Sequence, residues 1–260
     1  MTTNESHEHS ELVLATLAER PDLAGERARI LAGAWPGFVG QNEKLNRDWE
    51  AVLALHPDLQ LAVYSRESNT ILGMADLVPF SWDGNGGSLP DGVDDAVTRG
   101  LRDHAAGAPI TALSALQIVV ASSHRGQGLS RKIIELMRML AKQRGLVHLL
   151  APVRPTHKSL YPTIPMHRYI QWTRPDGLPL DPWLRVHRRL GASVVRVAPR
   201  SSVVTGTVAQ WESWTGLAFP ETGAYVVPGA LDLVHIDRER DVGRYEEPNV
   251  WMHHRLVEGT

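Results

Sequence analysis

The chain has 260 residues, of which 43% are hydrophobic and 22% are charged, and its formal net charge is -2. It is long enough for one sizeable core, and the absence of a dominant basic tail or stripe argues against a general nucleic-acid binder. The sequence contains no cysteine, which excludes disulfides, thiolate metal sites and a cysteine nucleophile. No apolar run approaches the roughly 20 residues of a membrane helix, and the first residues lack a signal peptide's apolar core, so we expect a cytoplasmic protein.

The N-terminal part of the chain is predicted to be helical. Residues 1–10 are polar and are expected to be disordered, whereas residues 11–257 are expected to form a single domain. Apolar residues at helical spacing predict helices over Leu12–Glu19, Leu23–Ala34 and Leu45–Leu55. A proline separates the first two of these helices.

Two strands and a further helix follow. Leu59–Tyr64 alternates between apolar and polar residues, and Ile71–Val78 is a second run of strand length. The polar residues between these two runs predict a hairpin turn. Asp94–His104 is predicted to be a helix that leads towards the central strand.

The stretch from Leu113 to Gly145 has the pattern of a strand, a glycine loop and a helix. Ala115–Ala121 is an apolar run of strand length, and Ser122–Gly128 is polar. Leu129–Gly145 is predicted to be an amphipathic helix. Its apolar stripe consists of Leu129, Ile133, Leu136, Met137 and Leu140.

The loop of this unit has the chemistry of a phosphate site, although a plain strand-to-helix connection is the alternative. The N–H groups and dipole at a helix start favour an anion, and Gly126 and Gly128 let a ligand's oxygens approach the backbone. Arg125 adds a positive charge with a fork suited to phosphate. A nucleoside triphosphatase motif is absent from the sequence, and Arg131 stands where a dinucleotide fingerprint needs its third glycine.

The run from Arg125 to Ser130 resembles the Gln/Arg-x-x-Gly-x-Gly/Ala signature of the GNAT superfamily of acyl-CoA-dependent N-acyltransferases. Ser130 departs from the usual glycine or alanine, but it is also small. The resemblance implies that acetyl-CoA is the acyl donor, that the loop holds its pyrophosphate and that the preceding strand offers backbone groups to its pantetheine arm. The residues so implied are Ile118, Val119, Val120, Arg125, Gly126, Gln127, Gly128, Leu129 and Ser130.

The resemblance also implies the fold class, which is α/β (α+β). A GNAT-like protein has a mixed central β-sheet flanked by helices, in which two parallel strands splay apart and admit the pantetheine arm. Here the central strand and a predicted strand over Leu146–Val153, joined through one helix, would be those parallel strands. Trp35 and Phe38, at the end of an early helix, either pack in the core or form one wall of an acceptor pocket.

A large proline-rich insertion, Arg154–Asp181, precedes the last core helix. Prolines lower the entropy that such a loop loses on ordering, and its mixture of aromatic and polar groups suits a small-molecule pocket. The alternative is a decorated surface insertion. The predicted substrate contacts are Arg154, Tyr161, Tyr169 and Trp172.

The last core helix is predicted over Pro182–Leu190, with Asp181 as its N-cap. Its end, Val186–Gly191, resembles the Leu-Tyr-x-x-Leu-Gly run of many GNAT enzymes, and His187 replaces the tyrosine that protonates the departing thiolate. An imidazole exchanges protons near neutral pH, so His187 is the predicted catalytic residue. The alternative is a histidine placed near a helix C-terminus because the dipole favours a cation there.

The C-terminal part of the chain is predicted to close the sheet. Strands are expected over Val194–Val197, Val203–Val208 and Asn249–Leu256, with further β-structure over Tyr225–Ile236 and a loop over Trp211–Gly223. Its candidate acceptor contacts or bases are Glu221, Glu246 and Glu247.

These patterns favour an N-acetyltransferase that moves an acetyl group from acetyl-CoA directly to the primary amine of a small-molecule metabolite. We expect no metal, no nucleic-acid or membrane partner, and a monomer or homodimer. One alternative is a non-catalytic GNAT-like sensor that binds acyl-CoA. Another is a different CoA-thioester enzyme, either an O-acyltransferase or a decarboxylase.

Overall fold

The computed structural model describes residues 12–256, so the predicted tail over residues 1–10 lies outside the described part. The strands are β1 (Leu12–Thr16), β2 (Leu61–Ser65), β3 (Ile71–Phe80), β4 (Ala112–Val120), β5 (His148–Val153), β6 (Ser193–Gly206), β7 (Gly223–Tyr225), β8 (Val234–Asp237) and β9 (Val242–Arg255). The helices are α1 (Ala24–Leu31), α2 (Glu43–Leu55), α3 (Val93–Ala105), α4 (Leu129–Gln143), α5 (Met166–Tyr169), α6 (Pro182–Arg189) and α7 (Val208–Thr215).

The described strands form one nine-stranded mixed sheet. Its order is β1-β2-β3-β4-β5-β9-β8-β7, and β6 pairs with β9. Strands β4 and β5 run parallel, whereas the other pairs are antiparallel. The predicted mixed sheet flanked by helices is therefore confirmed.

Helices cover both faces of the sheet because its strands are apolar on both sides. Leu77 and Leu113 pack in one core cluster with side chains of α4 and α6. Their chain neighbours Val78 and Ala112 pack in another cluster with side chains of α2 and α3. Successive strand residues point to opposite faces, so α4 and α6 lie on one side of the sheet and α2 and α3 on the other.

A β-bulge in β4 changes which residues face α1 and α2. Asp76 of β3 is opposite Gln117, but the next residue, Leu77, is opposite Ala115, so Leu116 is the extra residue. A bulge of this kind re-aims side chains. Leu116 and Gln117 therefore both reach the cavity on the α1 and α2 side of the sheet, although they are consecutive in the chain.

The parallel pairing of β4 with β5 is short. It joins Ala112–Ser114 to His148–Leu150 and does not continue to the ends of the two strands. The predicted splaying of these strands is thus confirmed. The gap opens beside the second half of β4, which leads directly into the glycine loop.

Two elements correct the sequence-based prediction. Leu12–Glu19 is not a helix, because Leu12–Thr16 pairs along its length with β2 as an edge strand. Trp211–Gly223 is not wholly a loop, because α7 extends to Thr215. This helix begins with a capping box in which Thr207 and Gln210 satisfy each other's backbone N–H groups. That Thr-x-x-Gln spacing was visible in the sequence, whereas the pairing of β1 depends on a strand far along the chain.

Candidate active site

Two adjoining cavities lie near the splayed strands. The loop cavity, of about 570 Å³, extends along the second half of β4 and the start of α4. The tryptophan cavity, of about 420 Å³, lies on the side covered by α1 and α2. Trp35 and Arg154 line both cavities. The two cavities therefore adjoin at these two side chains, and ligands bound in them would lie next to each other.

The loop cavity contains nearly all residues predicted to bind acetyl-CoA. Gln127 is the exception, since it does not line the cavity and its side-chain amide donates to the carbonyl of Ser123 at 3.3 Å. Additional lining comes from the insertion and from α6, through Thr156, Trp183 and Val186. The predicted residues that line the loop cavity are Ile118, Val119, Val120, Arg125, Gly126, Gly128, Leu129 and Ser130.

The glycines of the loop are required by backbone conformation. Gly126 has φ of 79° and Gly128 has φ of 77°, in the left-handed region that side chains with a Cβ rarely adopt. Gly128 is the N-cap of α4, and no side chain caps this 15-residue helix. The first N–H groups of the helix are thus left for a ligand, and their dipole favours an anion.

The tryptophan cavity is mainly apolar with a polar base. Trp35 and Trp49 contribute aromatic surface, and the side chain of Asp76 lies fully buried among the lining residues. The other apolar lining residues are Leu31, Val39, Leu45, Leu53, Val93, Leu116 and Pro152. The other polar lining residues are Arg27, Asn46, Glu50, Gln117, Arg154, Ser202, Glu247 and Asn249.

Asp76 is the centre of a buried hydrogen-bond network. Its Oδ1 accepts from Arg27 Nη2 at 2.5 Å, and its Oδ2 accepts from Gln117 Nε2 at 2.6 Å and from Trp49 Nε1 at 3.1 Å. Gln117 Oε1 accepts in turn from Trp35 Nε1 at 3.2 Å. A buried carboxylate is stable when it is paired and hydrogen-bonded in this way. The network fixes both indoles at the cavity.

Arg154, a predicted substrate contact, lies where the two cavities meet. Its Nε donates to Oε1 and Oε2 of Glu247 at 3.1 and 3.0 Å, and its Nη2 donates to the carbonyl of Gly229 at 2.5 Å. Its Nη1 makes no hydrogen bond with any described residue. Of the three glutamates named from the sequence, Glu247 lines the tryptophan cavity, while Glu221 and Glu246 line neither cavity.

The other predicted substrate contacts pack against one another. The rings of Tyr161, Tyr169 and Trp172 lie 5.0–6.0 Å apart, and none of them lines either cavity. The hydroxyl of Tyr169 donates to Asp181 at 2.8 Å, and burial raises the pKa of Tyr169. The Lys158 ammonium is buried beside this cluster and donates to two backbone carbonyls. The insertion therefore has a small core of its own.

His187 lies behind the wall of the loop cavity. It is 2% exposed, and its Nδ1 is 3.0 Å from Nε2 of His254. Its ring packs at 4.6 Å from the ring of Trp183, which lines the loop cavity together with Val186 of the same helix. Burial, with a smaller contribution from His254, lowers the pKa of His187 to about 3. The structure thus brings its neighbours, but not His187 itself, to the cavity.

Sequence reasoning missed most of the tryptophan cavity. Trp49 falls inside the predicted helix Leu45–Leu55, and Arg27, Glu50 and Gln117 belong to no motif. Asp76 carried a usable signal, because it is an acidic residue inside an otherwise apolar strand. Such a residue rarely lies fully buried without partners. Trp35 lines the cavity, so its assignment to an acceptor pocket stays a prediction, whereas Phe38 packs in the core against Trp211 and Tyr245.

The chain is similar to one curated protein and to several solved structures. It is 33% identical to the arginine N-acetyltransferase avaD of Aspergillus versicolor, over 94% of this chain and 93% of that protein. It shares its fold with the loading GNATL domain of CurA from Lyngbya majuscula, at a TM-score of 0.59, 15% identity and coverage of 95% and 98%. It also resembles the GphF GNAT-like decarboxylase in complex with isobutyryl-CoA, at a TM-score of 0.53, 15% identity and coverage of 95% and 100%. No family model matches the chain.

The sequence identity with avaD extends over nearly the whole chain, and the loop signature, the splayed strands and the mixed sheet agree with it. As an N-acetyltransferase, a protein of this kind transfers an acetyl group to an amine nitrogen. Within residues 12–256 no helix has both the length and the apolar character needed to cross a membrane. The protein belongs to the GNAT superfamily and is an N-acetyltransferase.

Proposed function

We propose that acetyl-CoA occupies the loop cavity and that a small-molecule amine occupies the tryptophan cavity. The observation that carries this assignment is that Trp35 and Arg154 line both cavities. Direct transfer needs the amine nitrogen and the thioester carbon within about 3–3.5 Å of each other, and two adjoining cavities provide for that approach. A monomer or a homodimer is the proposed oligomeric state. We keep the cytoplasm as the proposed location.

The loop from Arg125 to Ser130 is proposed to hold the pyrophosphate of acetyl-CoA. The left-handed backbone at Gly126 and Gly128 and the uncapped start of α4 supply N–H groups, and Arg125 supplies charge. The pantetheine arm would lie in the gap between β4 and β5, along Ile118–Val120. A backbone N–H near Val119 or Val120 would polarise the thioester carbonyl, as an oxyanion contact does.

The reaction is a direct displacement. A neutral amine nitrogen forms a bond to the carbonyl carbon of the thioester, the carbon–sulfur bond breaks, and CoA leaves as a thiolate. The ammonium loses one proton before the attack, and the nitrogen loses a second proton afterwards. One of these protons goes to the thiolate and the other to solvent, so the products are an amide, CoA and H⁺.

Arginine is the first acceptor to be tested. The support comes from the relative named arginine N-acetyltransferase, which is 33% identical to this chain. The mixture of two arginines and three carboxylates in the tryptophan cavity also suits an amino acid, which carries both signs of charge. The two structural neighbours at 15% identity support the fold alone, so they do not favour decarboxylation.

Calorimetric titration of the purified protein with acetyl-CoA and with CoA, followed by an assay of thiol release, tests this function. Saturable binding and thiol release that depends on arginine or another amine are expected. Binding without release in the presence of any amine would favour a sensor. Release that does not depend on an amine would favour another CoA-thioester enzyme. Absence of acetyl-CoA binding would overturn the assignment of the loop cavity.

A further inference from the structure

The charges that line the tryptophan cavity do not balance. Arg27 pairs with Asp76 at 2.5 Å, and Arg154 pairs with Glu247 at 3.0 Å. Glu50, the remaining carboxylate of the cavity, makes no hydrogen bond or ion pair within residues 12–256. Glu50 is exposed, and it is the lining carboxylate that has no paired cation among the described residues. It is therefore available to a cationic group of a ligand.

The aromatic surface beside this charge is held in place. Trp49 precedes Glu50 on α2, and its indole N–H is already donated to Asp76. The indole N–H of Trp35 is donated to Gln117. Because both polar edges are bonded to protein, the tryptophans offer only carbon surface to a ligand. Indole rings of this kind attract planar cations, and a guanidinium is the cation that stacks best on them.

Arg154 supplies the complementary charge at the other end of the acceptor. Its Nη1 makes no hydrogen bond with a described residue, and Arg154 lies at the wall shared with the loop cavity. A carboxylate bound there would hold an α-amine, which is attached to the adjacent carbon, close to the thioester. An α-amino acid with a guanidinium side chain carries both a cationic group for Glu50 and a carboxylate for Arg154.

We propose that Glu50 and Trp49 bind the guanidinium of the acceptor, that Arg154 binds its carboxylate, and that the α-amine is the nitrogen that is acetylated. This inference rests on the function proposed above. The chemistry of the two nitrogens agrees with it. A guanidinium stays protonated at neutral pH, whereas an α-ammonium has a pKa several units lower and gives up its proton far more readily. Only the α-amine offers a free lone pair under ordinary conditions.

The test compares arginine with citrulline, which has nearly the same shape but a neutral side chain. Glu50→Gln should raise KM for arginine about 10-fold with kcat nearly unchanged, because the lost contact is made equally in the ground and transition states. In the same variant, KM for citrulline should stay within about twofold of the wild-type value. The ratio of the two KM values, which measures the preference for arginine, should therefore fall towards 1. Glu50→Lys should reduce arginine turnover further. Tandem mass spectrometry of the product should place the acetyl group on the α-nitrogen.

Asp48→Asn is the matched control. Asp48 lies on the same helix and loses the same charge, but it pairs with Lys44 at 2.5 Å and lines neither cavity. It should leave the ratio of KM values for arginine and citrulline unchanged. Acetyl-CoA affinity, measured for every variant, serves as the check on folding.

Two kinds of failure are distinguishable. If the wild-type protein releases no thiol with any amine, the proposed function fails. If the wild type acetylates amines but not arginine, or acetylates the guanidinium nitrogen, the inference alone is overturned. An unchanged arginine-to-citrulline ratio in both Glu50 variants, with acetyl-CoA affinity retained, would also overturn it.

Discussion

The indole N–H of Trp49 donates to Asp76 Oδ2 across 3.1 Å, and this bond ties helix α2 to the buried strand β3. Asp76 also accepts from Arg27 and Gln117, so one carboxylate joins α1, α2, β3 and β4. The same carboxylate balances the buried Arg27 guanidinium. The geometry of the tryptophan cavity therefore depends on a group that is itself fully buried.

Replacement of Asp76 by asparagine tests this dependence. The change leaves the Arg27 guanidinium, which is 5% exposed, without its counter-charge, and it points an amide N–H₂ towards donors. We expect a loss of about 3–5 kcal/mol in the free energy of unfolding, measured by denaturant titration, because breaking a buried ion pair leaves an uncompensated charge. Trp49→Phe removes one neutral donor and should cost only about 1 kcal/mol. Equal losses in the free energy of unfolding for the two variants would contradict the conclusion that the cavity depends mainly on the Asp76 carboxylate.

The glycine loop gives a second prediction, for acetyl-CoA affinity. Arg125→Ala combined with Gly128→Val removes a cation and forces a β-branched residue to φ near 77° at the start of α4. We expect the calorimetric dissociation constant for acetyl-CoA to rise at least about 100-fold. An unchanged dissociation constant would remove the loop from the binding site.

A glycine at the other end of the same helix provides the control for this prediction. Gly145 has φ of 70° and lines neither cavity. Gly145→Ala and Gly128→Ala should each cost about 1 kcal/mol of stability, because both place a Cβ in the left-handed region. Only Gly128→Ala should also weaken acetyl-CoA binding. Equal loss of affinity in both variants would mean that the effect acts through helix stability.

Local chemistry explains which parts of the site were predictable. The residues from Arg125 to Ser130 are contiguous, so their backbone requirement and charge can be read from neighbouring letters. The order of the elements predicted two parallel strands, and the resemblance to the GNAT superfamily implied that they splay apart. The tryptophan cavity was not predictable in the same way, because Trp49 and Asp76 are brought together by packing of a helix on a strand. Neither segment alone contains a sequence pattern that predicts this hydrogen bond.

The insertion shows the limit of composition as evidence. Its aromatic and polar residues suited a substrate pocket, yet Tyr161, Tyr169 and Trp172 pack on one another. An apolar group that is attracted to a ligand is equally attracted to its neighbours, and composition does not decide between the two. Arg154 begins the insertion directly after β5, and the end of that strand places it between the cavities.

His187 provides the third prediction, which separates a proton-transfer role from a positioning role. His187 packs against Trp183 and pairs with His254 away from both cavities, so we expect His187→Phe to act mainly on stability. The loss should be about 1–3 kcal/mol, since His254 keeps no partner for its Nε2. Turnover per folded molecule should fall less than about 10-fold. A fall of about 10²–10⁴-fold at unchanged stability and acetyl-CoA affinity would instead establish the predicted proton role.

The same histidine pair gives a fourth prediction, for the pH dependence of stability. Burial lowers the pKa of His187 to about 3 and that of His254 to about 4, against an ordinary value near 6.5. Well above pH 6.5 both residues are neutral in the folded and unfolded states, so they do not change stability with pH there. Below pH 6.5 the unfolded chain binds protons that the folded chain does not, so the free energy of unfolding falls as the pH falls.

Denaturant titrations between pH 7.5 and pH 4.5 measure this effect. Two protons bound only by the unfolded state give a slope of at most about 2.7 kcal/mol per pH unit. The matched variant is His187→Phe with His254→Leu, which removes both titrating groups and should reduce the slope between pH 6.5 and pH 4.5. Burial also lowers the pKa values of His56, His148 and His253, which contribute in both proteins. Carboxylates begin to contribute near the acid end of this range, and they are the same in both proteins. A variant with the slope of the wild type would show that the pH dependence arises elsewhere, for example in the pair formed by His148 and His253 at 3.0 Å.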